Sequence, residues 1–103
     1  MSLEAEFTHA LEGTVEAAKA RNYFPTIFMQ MLAVHGGVDT ARRLLAKSEP
    51  QTGLFELYHL DLLHESMEAV ICDNPKYHPL FTPEEIGEAH RRLDELSYFK
   101  KGK

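Results

Sequence analysis

Leu3, Phe7, Leu11 and Val15 stand four residues apart at the head of the chain. At 3.6 residues per turn that spacing lines them up as one apolar stripe on an otherwise polar helix, so Leu3 to Arg21 reads as a surface helix docked along one face. Nowhere in the 103 residues do apolar and polar residues alternate with the period of two that a half-buried strand requires. Internal repeats and low-complexity segments are absent too. These patterns leave one fold class: an all-α, orthogonal-type bundle of five or six short helices. The length suits a single domain spanning 1–103, with fraying expected at 1–3 and 99–103.

The punctuation divides the chain into elements. In "NYFPTIFMQMLAVHGG", Asn22 is placed to cap a helix and Pro25 to sit in its first turn. The run to Val34 is apolar almost all round, which marks Ile27 to Val34 as the helix at the centre of the bundle. Gly36 and Gly37 end it, and Val38, Ala41, Leu44 and Leu45 form the face of a short helix stopped near Pro50. Two further pieces follow, one on Leu54, Phe55, Leu57 and Tyr58 and one on Leu63, Met67, Val70 and Ile71; either Asp61 or Ser66 caps the second. "DNPKYHP" is a proline-bounded connector with room for one tight turn. The last helix is the best marked. Thr82, Pro83 and Glu85 compose a capping box with proline at the first helical position, Phe81 is set to staple the start, and Ile86, Ala89, Leu93 and Leu96 face inward.

Charge is uneven. Residues 49–90 carry nine acids (Glu49, Glu56, Asp61, Glu65, Glu68, Asp73, Glu84, Glu85, Glu88) against the single base Lys76, within a net charge of −5. That balance argues against a dominant nucleic-acid surface. The longest apolar run is broken by Pro25, Thr26 and Gln30 and falls short of the roughly 20 residues that cross a bilayer. The first residues have neither the basic nor the apolar region of a secretory signal, and the lone Cys72 suits a reducing compartment, so a cytoplasmic location without membrane association is expected.

Few residues suggest chemistry. His59, Asp61, His64, Glu65 and Glu68 form the densest polar cluster, and on one continuous helix His64 and Glu68 would be i, i+4 neighbours able to share a metal with His59 or Asp61. The arrangement H-E-x-x-H is not met, because Glu68 stands where the second histidine belongs. Cys72 follows Val70 and Ile71, a setting for a buried thiol rather than a nucleophile. The segment 27–47 supplies the DNA-binding alternative: a glycine turn between two helices, the second bearing Arg42, Arg43 and Lys47. Glu84, Glu85 and Glu88 read as helix-start residues. No catalytic residue and no cofactor is assigned.

"HGGVDTARRLL", "GLFELYHLDLLHESMEAVI" and "HPLFTPEEIGEAHRRLDELSY" together resemble a small helical domain of bacterial proteins, found alone or appended to longer chains. The resemblance runs from His35 to Tyr98 and implies a scaffold, with no catalytic residue or ligand attached. The expected function is therefore a non-catalytic accessory or protein-interaction module, acting on a protein partner or by self-association. DNA binding comes second and a metal-dependent enzyme third.

Overall fold

The computed structural model describes residues 2–47 and 52–99. Over these the protein is an all-α bundle. Its α-helices are α1 (Leu3–Ala20), α2 (Thr26–Leu45), α3 (Thr52–His59), α4 (Met67–Asp73) and α5 (Pro83–Glu95), with 3-10 segments at Leu63–Glu65 and Pro75–Leu80. No helix among the described residues is long and apolar enough to cross a membrane.

Helix α1 is anchored at its first residue: the Ser2 Oγ accepts the Ala5 amide at 3.0 Å, and Glu4 and Glu6 lie in the positive first turn. At the other end Phe99 stacks on His90 with ring centroids 4.3 Å apart, so it too is held. Met1 and residues 100–103, like the expected stop at Pro50, lie outside the described residues.

Three helices close in the same way, none with glycine. After α1, Asn22 takes φ 66°, its amide reaching the Lys19 carbonyl and that of Tyr23 the Ala18 carbonyl, both at 2.9 Å. After α3 and α5, Asp61 and Ser97 each take φ 61°, and the following amides of Leu62 and Tyr98 return to Leu57 and Leu93. This is the Schellman closure, which satisfies carbonyls that a helix end leaves orphaned. Asn22 therefore closes α1 instead of starting α2, whose cap position is Pro25 without any side-chain hydrogen bond. The choice between Asp61 and Ser66 is settled likewise: Ser66 caps α4 through the Ala69 amide at 3.1 Å, while Asp61 closes α3.

Gly36, at φ 79° and ψ 173°, bends α2 into segments 26–35 and 37–45. That conformation is essentially reserved to glycine. The first segment is not the centre of the bundle. Leu32 is buried, but Ile27 and Val34 are 74% and 75% exposed. The core instead gathers on Phe7 of α1, whose ring meets Tyr77 and Phe81 edge-on, each at 5.2 Å, with Met67 and Ile71 of α4 and Ala89 of α5 completing it. Apolar composition without a polar face could not say which segment would be covered last.

Thr82 starts α5 as expected: its Oγ1 accepts the Glu85 amide at 3.1 Å, and the Glu85 carboxylate accepts the Thr82 amide at 2.9 Å. Thr82→Ala should lower stability by about 0.5–2 kcal/mol, the range for losing such a cap. Chemical denaturation of the two proteins measures it. Identical midpoints would mean that Pro83 alone holds the start.

Candidate functional site

The histidine and acid cluster does not assemble. Helix α3 ends at His59 and a 3-10 segment intervenes before α4, so the helix that would bring His64 over Glu68 is interrupted at Ser66. His59 and His64 are exposed, Asp61 turns the chain, and Glu68 points inward, 4% exposed. Among the described residues no three His, Cys, Asp or Glu side chains come together as a metal site.

Glu68 belongs to a different constellation, which the sequence reading missed. Arg92 is 1% exposed and reaches from α5 across the bundle. Its Nε donates to Glu88 at 2.7 Å and its Nη1 to Glu68 at 3.4 Å, while Nη2 donates to the carbonyls of Leu44 at 3.1 Å and Lys47 at 2.9 Å. One guanidinium thus ties α4 and α5 together and donates to carbonyls at and just past the end of α2, where a positive charge also complements the helix dipole. Burial pushes the Glu68 carboxyl above its ordinary range despite this neighbour. Glu88 is held down to about 2, first by its hydrogen bond from Arg91 and then by Arg92. Glu88 was expected to be helix-start punctuation, and it is instead the clamp that orients both arginines. The available signal was position: Arg92 borders the apolar row of Ala89 and Leu93 and lies four residues beyond Glu88.

The basic residues of the DNA-binding alternative are engaged locally. Arg42 Nε lies 3.4 Å from Glu85 and its Nη2 donates to the Leu80 carbonyl at 3.3 Å; Arg43 Nε donates to Asp39 at 2.9 Å. Lys47 is exposed, with its carbonyl occupied by Arg92. The two segments of α2 meet at Gly36 alone, where a helix-turn-helix places a turn of three or four residues. Cys72 is half-buried and its thiol is raised to about 11, by burial first and then by Asp73 and Glu68, which leaves it protonated near neutrality.

What the fold leaves open is a cleft. A cavity of about 400 Å³ lies between the end of α1, the first segment of α2, α3 and the start of α4. Val15, Ala18, Phe28, Met31, Leu54 and Leu57 supply its apolar walls, and Phe24, 55% exposed, stands at its rim. Among the described residues Glu65 and Glu68 are the charged members of the lining, and Glu68 is paired with Arg92. The volume falls within the range of ligand pockets, and the walls are mostly apolar. Comparison with protein-family models, with curated proteins and with solved structures found no match.

Proposed function

We propose that the protein is a non-catalytic interaction module whose cleft receives an apolar helix or strand end from a partner protein, with basic residues beside its apolar anchors. The observation that carries the reading is the composition of the cleft: aliphatic and aromatic walls with the carboxylate of Glu65 beside them, Glu68 being already paired with Arg92. Helix-in-groove recognition uses such surfaces, apolar anchors giving affinity and flanking charge giving orientation. The acidic stretch 49–90 supplies the field that draws a basic segment in.

The test is a titration of labelled protein, followed by nuclear magnetic resonance, with a helical peptide bearing leucines on one face and lysines on the other. Amides of 14–18, 26–31 and 54–57 and of Phe24 should shift together. A peptide with glutamates in place of the lysines should bind at least about tenfold more weakly, the factor that 1.4 kcal/mol represents. Shifts scattered over the surface, or equal affinity for the two peptides, would defeat the proposal.

A further inference from the structure

The two carboxylates of the cleft sit in unlike surroundings. Glu65 is partly exposed, with the ring of the exposed His64 at 3.8 Å. Glu68 is 4% exposed and is reached by one side-chain donor, Arg92 Nη1, at 3.4 Å. That guanidinium is engaged elsewhere at shorter distances, with Nε on Glu88 at 2.7 Å and Nη2 on the Lys47 carbonyl at 2.9 Å. One positive charge therefore serves two carboxylates, and Glu68 has the longer contact of the two. Among the described residues, the titratable groups that face Glu68 are Arg92 and Glu88 of α5, Cys72 of its own helix, and Glu65 and the Tyr23 phenol in the cleft wall. Of the described residues of α1, α2 and α3, none presents a charged side chain to the cleft. Burial is the largest influence on Glu68 and opposes the charged form, as does Glu88, while its own backbone amide and Arg92 favour it.

We propose that Glu68 links occupancy of the cleft to a proton: it takes one from solvent when an apolar side chain of the partner fills the cleft above it, and returns it when the cleft opens to water. The inference rests on the reading of the cleft as a receptor for apolar anchors and adds how that receptor is regulated. At about 400 Å³ the cleft is large enough to admit water, which solvates a carboxylate that has only a shared counter-charge. An apolar anchor displaces that water and offers no hydrogen bond in exchange, so it raises the cost of the charged form far more than that of the protonated one. Arg92 keeps Glu88 when Glu68 is protonated, so no buried charge is left alone. By linkage, the factor that occupancy adds to proton affinity is the factor that the proton adds to affinity for the anchor. Affinity is therefore full below the pH at which Glu68 titrates in the open protein, and it is lost as the pH rises through the titration in the occupied one. The flanking base of the partner is left to Glu65.

The probe is N-phenylnaphthylamine, an apolar dye without charge in this range, its binding followed by fluorescence and by the amide shifts of the cleft residues. Wild-type affinity should fall at least about tenfold between about pH 5 and about pH 9, the effect of one linked proton whose titration moves by about one unit. Glu68→Gln keeps the shape and an oxygen for Arg92 but has no proton to exchange. It should bind the dye equally at both ends of the range, and more tightly than the wild type at the alkaline end. Nuclear magnetic resonance titration of the Glu68 carboxyl carbon reads the same link in the wild type, whether or not the variant folds: the group should titrate above its ordinary 4.5, and higher still with dye bound. Wild-type affinity independent of pH overturns the inference, as does a pH dependence that survives in Glu68→Gln and so belongs to His64 or another group. A dye that shifts no cleft amide, or that leaves the Glu68 titration in place, overturns it too. Peptide binding that fails while the dye keeps its pH dependence defeats the partner assignment and not the proton link.

Discussion

Arg92→Leu should unfold at a far lower temperature than the wild type, at a cost of about 3–5 kcal/mol, the range for removing one partner of a buried ion pair. Leucine fills much of the space but removes the donor from the Lys47 carbonyl, leaves the Leu44 carbonyl with the Lys47 amide alone at 3.3 Å, and leaves Glu68 without its counter-charge. For a domain of this size each kcal/mol moves the midpoint by roughly 4–8 °C. Arg92→Lys should recover only a part, since one ammonium cannot reach four acceptors in a fork. Adding Glu68→Leu to Arg92→Leu should also return some stability by removing the uncompensated carboxyl. Acid sensitivity should change less than stability. The contribution of Glu88 is complete above its ordinary value of 4.5 and is lost as the pH falls from there toward about 2, and the Arg91 hydrogen bond, the first of its causes, is still there in the variant. Glu68, raised in the folded state, acts with the opposite sign and loses stability as the pH rises past its ordinary value. Thermal melts across pH would expose a merely space-filling Arg92 as a drop below about 1 kcal/mol, the usual scale of ordinary surface contacts.

Gly37→Ala should destabilise by about 1–3 kcal/mol, even though alanine is the better helix former. A Cβ built on Gly37 comes within 2.8 Å of Thr8 Cα and 3.1 Å of Phe7 Cδ2. The nearest atom is backbone, so α1 and α2 must move apart, carrying Phe7 away from Tyr77 and Phe81. The Gly37 amide also donates to Thr8 Oγ1 at 2.9 Å, and separation stretches that bond. Gly87→Ala supplies the contrast, because nothing lies within 4 Å of a Cβ there and α5 is helical throughout. It should stabilise by about 0.5–1 kcal/mol. Urea denaturation of the three proteins decides the matter, and a Gly37→Ala midpoint at or above the wild type would show that the helices have slack between them.

The helices were legible because each carries local marks. The stripe of Leu3, Phe7, Leu11 and Val15 and the box of Thr82 and Glu85 act within one element, and both stand in the structure as the sequence implies. What was not legible lies between elements. The position of segment 26–35 at the edge depends on how α1, α4 and α5 use up the core, which no periodicity encodes. Arg92 reads locally as one of two surface arginines, and only the meeting of α5 with the end of α2, 45 residues away, buries it. The histidine and acid cluster is apart for a related reason: Ser66 breaks the helix on which His64 and Glu68 would have been neighbours, and the left-handed turn at Asp61 separates them from His59.

The reach of Arg92 also dictates the order in which the domain can be made. During synthesis, α1 and α2 are made before Arg92, which stands 45 residues beyond the Lys47 carbonyl it binds. The end of α2 therefore gains the charge that complements its dipole only from a residue in the last turns of α5, so a chain cut short before Arg92 keeps the residues of α2 but loses the donor to their terminal carbonyls.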